Sequence, residues 1–192
     1  MRELIFATHN AHKVHEVASL LRGVCLLRTA TESGITEPIP EEHDTLSGNA
    51  WQKAEFVWMR TGRDSFADDT GLEVEALGGA PGVYSARYAG PGCSFADNMA
   101  KLLREMRGIA NRKACFRTVI ALIIGGARHE FEGRVDGEIL EQPTGEGGFG
   151  YDAVFRPQGY ELSFAQMPLE VKNSLSHRGR AVEKMRVFLS EL

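Results

Sequence analysis

The sequence of 192 residues lacks the features of several specialised protein classes. It has no apolar run near the roughly 18–20 residues that span a bilayer, and its first ten residues, MRELIFATHN, become polar too early for a secretory signal. Its three cysteines, Cys25, Cys93 and Cys115, form neither a CxxC pair nor a disulfide framework. We therefore expect a protein of the reducing cytoplasm, without a membrane span.

A large excess of one charge is also missing. The 26 acidic and 22 basic residues give a net charge of −4, and hydrophobic residues make up 43% of the chain, as in ordinary globular proteins. This balance disfavours a surface that binds nucleic acid along its length, but it leaves room for a small anion in one basic pocket. The length fits a single domain over residues 1–192.

Hydrophobic patterns predict alternating strands and helices with one hairpin, hence an α/β fold with a mixed sheet flanked by helices. Val14, Val17, Ala18 and Leu21 have the spacing of one buried helical face. Strands are predicted at 3–8, 25–27, 65–68, 115–124, 128–135, 137–140 and 152–155, and the other helices at 45–60, after Ser94, and from about 176.

The first candidate for chemistry is the segment Thr8–Lys13, where a strand gives way to a helix. Exposed N–H groups at a helix start attract an anion, and Lys13 adds a full positive charge, although GxxxxGK[ST] is absent. The alternative is an ordinary capped helix with a surface lysine. His9, His12 and His15 recur every third residue, but the cationic Lys13 among them disfavours a zinc site.

The second candidate is the pair Asp68-Asp69 at the predicted end of a buried strand. Buried carboxylates are costly unless they face a metal or cations, and Mg²⁺ prefers such hard oxygen ligands. The alternative is an Asx-turn that caps the strand. The acidic loop at 37–42 is a candidate to supply a further carboxylate to the same metal. The alternative is that its charged side chains are simply solvated.

Two further candidates lie in the C-terminal part of the chain. In GGFGYD at 147–152, Phe149 and Tyr151 have flat rings that stack on a base, and Asp152 is an acceptor for ring N–H groups; the alternative is a turn with two core aromatics. A cluster of hydrogen-bond donors, Lys172 and Ser176–Arg178, lies ahead of a predicted helix and fits a phosphate or a base carbonyl. The alternative is a capped helix start with a basic first turn.

Taken together, in this order, these segments resemble one family. ATHNAHKVHEV at 7–17, ADDTGLEVEALGGAPGVYSARYAG at 67–90, FGYDAVF at 149–155 and KNSLSHRGRA at 172–181 are similar to the inosine triphosphate pyrophosphatase family, whose bacterial members are dITP/XTP pyrophosphatases. The resemblance spans the chain from end to end, and the block at 67–90 is long and specific.

The resemblance implies a homodimeric, Mg²⁺-dependent hydrolase that cleaves ITP, dITP and XTP to the monophosphate and pyrophosphate. It implies an elongated mixed sheet flanked by helices, with two lobes and the active site in the cleft between them. It makes Asp69 the catalytic carboxylate and Asp69, Asp68 and Glu41 the metal ligands, with Glu37 or Glu42 as substitutes for Glu41. The implied substrate-binding residues are Thr8, His9, Asn10, Ala11, His12, Lys13, Lys53, Thr70, Phe149, Gly150, Tyr151, Asp152, Lys172, His177 and Arg178.

The sequence also departs from the family. Thr70 stands where serine is usual, the family often has TGN at Thr8-His9-Asn10, and EEHDTLSGNA replaces a segment that often reads ETGxTFxENA. A Maf-like pyrimidine triphosphate pyrophosphatase and a nucleotide sensor without turnover are the competing hypotheses. The SHR and FGYD blocks argue against the first, and the intact Asp68, Asp69 and Lys13 against the second.

Overall fold

The computed structural model describes residues 2–192 and contains seven strands and five helices in that range. The strands are β1 (Arg2–Phe6), β2 (Cys25–Thr29), β3 (Ser65–Val74), β4 (Pro81–Gly82), β5 (Lys113–Ile124), β6 (Ala127–Ile139) and β7 (Phe155–Pro157). The helices are α1 (Ala11–Leu20), α2 (Leu46–Thr61), α3 (Phe95–Glu105), α4 (Leu169–Leu175) and α5 (His177–Ser190).

The strands form one mixed sheet, which confirms the predicted fold class. Their order is β2-β1-β3-β5-β6-β7, with β4 paired to β3. β1 is parallel to both β2 and β3, whereas β3–β4 and β6–β7 are antiparallel. The turn Gly125-Gly126 joins β5 to β6 as the predicted hairpin, and both glycines have the positive φ that a tight hairpin turn requires.

The chain divides into two units, each with its own hydrophobic core. Unit 1 comprises the chain up to Asp69 together with Thr118–Gly133 and His177–Leu192, and its core includes Phe6, Val17 and Phe66. Unit 2 comprises Thr70–Arg117 and Arg134–Ser176, and its core includes Leu72, Phe116 and Phe155.

Side-chain caps explain where several helices begin. Asn10 Oδ1 accepts from the amides of His12 and Lys13 at 3.0 and 3.3 Å and starts α1, and the Thr45 hydroxyl accepts from the Gly48 amide at 3.0 Å and starts α2. Ser94 and Asp97 form a capping box at the start of α3, the helix predicted after Ser94. These contacts fix the start of the helices that carry Lys13 and Lys53.

Some predicted boundaries are wrong. β3 does not end at Asp68 but continues to Val74, since Leu72 and Val74 are also buried. β6 is continuous through residue 137 instead of two strands, Asp152–Val154 is a 3₁₀ turn, and the short helix α4 has no predicted counterpart. On α1, Ala18 is exposed and the buried neighbour of Val17 is Glu16.

Candidate active site

A cluster of charged side chains lies in unit 1 around the middle of β3. Its cations are Lys13, Lys53 and Arg178, and its carboxylates are Glu16, Glu41, Asp68 and Asp69. We call this set the charge cluster. All but Glu41 belong to regular elements, α1, α2, β3 and α5, so their backbones are held in place by the fold. The charge cluster thus combines three cations, which can contact an anion, with four carboxylates, which can contact a cation.

Asp68 binds two cations and is 1% exposed. Its Oδ1 accepts from Lys13 Nζ and its Oδ2 from Arg178 Nε, both at 2.9 Å. Burial alone would raise the pKa of Asp68, but Lys13 and Arg178 outweigh it and hold the pKa well below its usual range. Asp68 is therefore a permanent anion that orients two cations.

Asp69 has the opposite electrostatic character, although it is the next residue. Its carboxylate accepts from Lys53 Nζ at 3.0 Å and from Asn49 Nδ2 at 3.3 Å. Burial raises the pKa of Asp69, and the nearby Lys53 and Lys13 offset only part of that effect. A carboxylate whose proton affinity is raised is suited to accept a proton from water.

Lys53 joins Asp69 to the acidic loop, because its Nζ also lies 2.5 Å from Glu41 Oε1. Burial acts to lower the pKa of Lys53, but Asp69 and Glu41 overcome it and the pKa is raised, so the ammonium stays charged. Of the three acidic-loop candidates, Glu41 is the one at the charge cluster. Glu37 pairs with Arg60 at 2.8 Å and Glu42 accepts from Gln52 at 3.1 Å.

Among residues 2–192, no three histidine, cysteine or acidic side chains converge as a protein-only metal site requires. Mg²⁺ needs fewer, because it usually binds one or two carboxylates and takes its other ligands from phosphates and water. Asp69 and Glu41 fit that pattern, since oxygens of both contact the same Lys53 nitrogen and are therefore neighbours. Asp68 fits it less well because each of its oxygens holds a cation.

The predicted phosphate loop contributes to the charge cluster mainly through Lys13. Thr8 Oγ1 accepts from the Asn10 amide at 3.1 Å, and Asn10 in turn caps α1, so these two side chains shape the loop. The His9 ring reaches the Thr31 hydroxyl at 3.3 Å and the Glu37 carbonyl at 3.0 Å. Ala11 and His12 are exposed on the first turn of α1.

Glu16 is the member of the charge cluster that sequence analysis missed. Its Oε2 lies 2.6 Å from Arg178 Nη1, and both side chains are nearly fully buried. The available signal was spacing, since Glu16 follows Lys13 by three residues on the face next to Val17. His177, the neighbour of Arg178, is also buried, and its carbonyl would lie 2.0 Å from a Cβ placed at Gly133. Only glycine at 133 permits this close approach of α5.

Unit 2 brings together Phe149, Asp152 and Lys172, which we call the base segment. Asp152 Oδ2 accepts from Lys172 Nζ at 2.6 Å and from the Phe149 amide at 2.8 Å. Lys172 Nζ also lies 5.0 Å from the centroid of the Phe149 ring. Phe149 is partly exposed, Gly150 has a positive φ of 62° in the turn, and Thr70 is half-buried on β3.

The prediction that Tyr151 stacks on a base is wrong. Tyr151 is 4% exposed in the core of unit 2, and its hydroxyl donates to the Ser85 carbonyl at 2.8 Å. The Phe149 ring, by contrast, is partly exposed and lies 5.9 Å from the ring of Phe95, centroid to centroid. Tyr151 thus has the alternative role of a core aromatic.

Comparison with known proteins identifies the family of the chain. The model of the Ham1 family matches residues 4–188. A dITP/XTP pyrophosphatase of Porphyromonas gingivalis is 54% identical over 190 residues, which cover 98% of each chain, and one of Flavobacterium johnsoniae is 46% identical over 95% of each. The solved HAM1 protein of Coxiella burnetii superimposes with a TM-score of 0.91 at 35% identity over 100% of both chains.

A second solved structure, the Ham1 protein of Staphylococcus aureus, has a TM-score of 0.89 at 34% identity and covers 99% of each chain. The match therefore extends over both units and includes every residue of the charge cluster and the base segment. The chain belongs to the Ham1 family.

Proposed function

We propose that this protein hydrolyses non-canonical purine nucleoside triphosphates, ITP, dITP and XTP, to the nucleoside monophosphate and pyrophosphate. The observation that carries the proposal is the charge cluster, in which Lys13 and Lys53 flank the adjacent carboxylates Asp68 and Asp69. Relatives that match nearly the whole chain are named dITP/XTP pyrophosphatases. We propose that the reaction removes these nucleotides from the pool before they are incorporated.

The reaction we propose is direct attack by water. The oxygen of the water bonds to the α-phosphorus while Asp69 accepts a proton from that water. The bond between the α-phosphorus and the bridging oxygen breaks, and pyrophosphate leaves. Lys13 and Lys53 offset the negative charge that develops on the phosphates. Asn49 and Lys53 hold Asp69 by one hydrogen bond each, which keeps its carboxylate oriented toward the water.

Mg²⁺ belongs to the proposal as a cofactor held by Asp69 and Glu41. When bound, it neutralises phosphate charge and polarises the anhydride. Asp68 acts beside it as the anion that orients Lys13, which is the role that its two cation contacts support.

We propose that the base segment selects the base. The donors predicted for this role, His177 and Arg178, belong to unit 1. There, Arg178 is held by Asp68 and Glu16. Hypoxanthine and xanthine carry an oxo group at position 6 where adenine carries an amine, so donor side chains favour the former. An unmatched buried donor costs about 1–3 kcal/mol. We expect ITP and XTP to exceed ATP by at least about a hundredfold in kcat/KM when two such donors are unmatched. GTP shares the 6-oxo group, so its rejection depends on contacts at its 2-amino group.

We also propose a cytoplasmic homodimer, on family resemblance, with Gly82–Tyr88 as part of its surface. Tyr84 in this segment is 53% exposed, and Arg87 lies over its ring. Within residues 2–192, no helix is long and apolar enough to cross a membrane. Light scattering at micromolar concentration tests the dimer, and a monomer there contradicts it.

A triphosphate panel with Mg²⁺ tests the function, with pyrophosphate and orthophosphate measured separately. Pyrophosphate release from ITP, dITP and XTP is the expected result. Preference for pyrimidine triphosphates would support the Maf-like alternative. If the protein, at catalytic concentration, binds the triphosphates but releases no product, the nucleotide-sensor hypothesis is supported.

A further inference from the structure

Glu16 is a buried carboxylate for which the proposed reaction has no use. It lies in the middle of α1 and is 4% exposed. An anion buried to this degree is strongly disfavoured unless a cation and hydrogen bonds compensate it. The compensation comes from Arg178 on α5, whose Nη1 donates to Glu16 Oε2 at 2.6 Å.

The contacts of Glu16 continue to the phosphate-binding lysine. Arg178 Nε donates to Asp68 Oδ2, and Asp68 Oδ1 accepts from Lys13 Nζ, both at 2.9 Å. Four charges of alternating sign therefore follow one another as Glu16, Arg178, Asp68 and Lys13. The first three side chains are at most 5% exposed, and that of Lys13 is 14% exposed.

The chemistry of Arg178 makes this sequence of contacts directional. A guanidinium is planar, stays charged at every working pH, and presents its N–H groups in a fixed fork. When Glu16 holds one edge of the fork, the position of Nε is set, and with it the carboxylate plane of Asp68. The Asp68 plane in turn determines where the Lys13 ammonium sits.

We propose that Glu16 is a positioning residue for phosphate binding, which acts through Arg178 and Asp68 on Lys13. The proposal deepens the proposed function, because it takes Lys13 as a ligand of the triphosphate. Removing the charge of Glu16 changes the sum over the four groups from zero to +1. It also leaves a buried arginine edge without its carboxylate, so Arg178 and Asp68 rearrange.

Glu16→Gln tests the proposal, with inorganic tripolyphosphate as a probe that contains no base and needs no turnover. Calorimetry in the presence of Mg²⁺ measures its Kd for the wild type and the variant. We expect Glu16→Gln to weaken binding by about tenfold or more, because loss of one partner disturbs a coupled, buried ion network. With ITP as the substrate, KM should rise by a similar factor, and kcat should change less.

Val17→Ala is the matched control, because Val17 is the next residue of α1, is fully buried, and packs in the core of unit 1. It destabilises the same helix without touching the charge cluster. Its Kd for tripolyphosphate should stay within about twofold of the wild type when both are assayed well below their melting temperatures. Equal weakening in Val17→Ala and Glu16→Gln would show a merely structural role and overturn the proposal.

A double-mutant cycle tests the route through Arg178. If Glu16 acts only through Arg178, Glu16→Gln added to Arg178→Gln causes no further loss of tripolyphosphate affinity. Additive losses would overturn that route. If Glu16→Gln alone does not fold, the double variant replaces it in the test, because the double variant removes both buried charges. A double variant that binds tripolyphosphate much more weakly than Arg178→Gln contradicts the proposal.

Glu16→Asp provides an independent second variant. It keeps the charge but withdraws the carboxylate by one methylene, so a positioning role predicts a partial loss of affinity, and unchanged affinity would contradict it. The two proposals fail separately. If the wild type binds tripolyphosphate and the double-mutant cycle gives the expected result, but the wild type releases no pyrophosphate from ITP, only the proposed function is refuted. A wild type that does not bind tripolyphosphate refutes the positioning role.

Discussion

The two units assemble their candidate sites in contrasting ways. Unit 1 draws the charge cluster from α1, the acidic loop, α2, β3 and α5, so its members are far apart in sequence. Unit 2 builds the base segment from one turn, with Phe149 and Asp152 three residues apart, and adds only Lys172 from α4. The first site depends on the tertiary fold, and the second depends largely on local geometry.

This difference has an energetic consequence. Charges in the first site are shared, because Lys53 serves Asp69 and Glu41, and Asp68 serves Lys13 and Arg178. In such a network one substitution changes the balance at several partners, so its effects are large and non-additive. In the base segment the principal ion pair is Lys172–Asp152, and a substitution there has a narrower effect.

The largest effect is expected at Asp69. Asp69→Asn should lower kcat for ITP by about 10²–10⁴-fold, because an amide cannot accept the proton of the attacking water. Pyrophosphate release measures the loss. Asp64→Asn is the matched control, because Asp64 lies just before β3 in the same unit and accepts from the Gly125 amide at 2.8 Å. More than a tenth of the wild-type kcat in Asp69→Asn would exclude the assignment.

The next effect concerns stability, to which the two adjacent aspartates should contribute by different amounts. Asp68→Asn leaves Lys13 and Arg178 buried without their carboxylate and should lower the free energy of unfolding by about 3–5 kcal/mol. Asp69→Asn should lower it less, because burial raises the pKa of Asp69 and disfavours its charged form, and because Lys53 keeps Glu41 as a partner. Urea denaturation at pH 7 measures both variants.

The pH dependence follows from the same pKa directions. The lowered pKa of Asp68 means that its carboxylate stabilises the protein above the unfolded-state pKa of about 3.9 and loses that contribution as the pH falls through the folded-state pKa. The raised pKa of Asp69 has the opposite sign, so stability declines as the pH rises through it. The difference in the free energy of unfolding between Asp68→Asn and Asp69→Asn should therefore become smaller in acid. A difference that stays constant from pH 7 to pH 3 contradicts this account.

The same contrast explains what the sequence could predict. Helix α2, with Leu46, Ala50, Ala54 and Val57 buried, follows from hydrophobic spacing, and the capping box of α3 follows from Ser94 and Asp97. Both are local signals. Lys13 and Asp69 were candidates from the residues themselves, whereas Lys53 and the choice of Glu41 came from the family resemblance. Spacing alone does not bring residues 13, 41, 53 and 69 together.

The errors have physical causes. Asp68 and Asp69 were expected to end a strand because charged residues rarely occupy strand interiors, but the cations around them make the interior position possible. Glu16 was missed because an acidic residue on a helix is ordinarily on the solvated face, and its partner Arg178 is 162 residues away along the chain. Tyr151 was assigned to base stacking because the glycines that precede it allow a flat ligand to approach the backbone, and the alternative of a core aromatic is the one that the burial of Tyr151 supports.

A smaller effect, confined to base recognition, is expected at Asp152. Asp152→Asn keeps the shape of the side chain but removes the partner charge of Lys172, so kcat/KM for ITP should fall by the equivalent of about 1–3 kcal/mol. Binding of tripolyphosphate should be unchanged, because the charge cluster belongs to the other unit. Asp136→Asn, at an exposed ion pair of unit 2, is the control. Loss of tripolyphosphate affinity in Asp152→Asn would contradict the division of roles between the units.

The smallest effect tests whether the turn itself positions Asp152. Gly148 has a φ of 70°, and a Cβ there would lie 2.1 Å from Asp152 Oδ2, whereas Gly159 has a φ of 84° and no atom within 4 Å of its added Cβ. Alanine at either position adopts the left-handed region at a cost of roughly 1–2 kcal/mol, and Gly148→Ala adds the cost of displacing Asp152, so it should lower Tm more than Gly159→Ala. Only Gly148→Ala displaces the carboxylate, and it alone should reduce kcat/KM for ITP severalfold. Equal activity of the two variants would mean that Asp152 tolerates displacement, and that the base segment is less dependent on its local geometry than its contacts indicate.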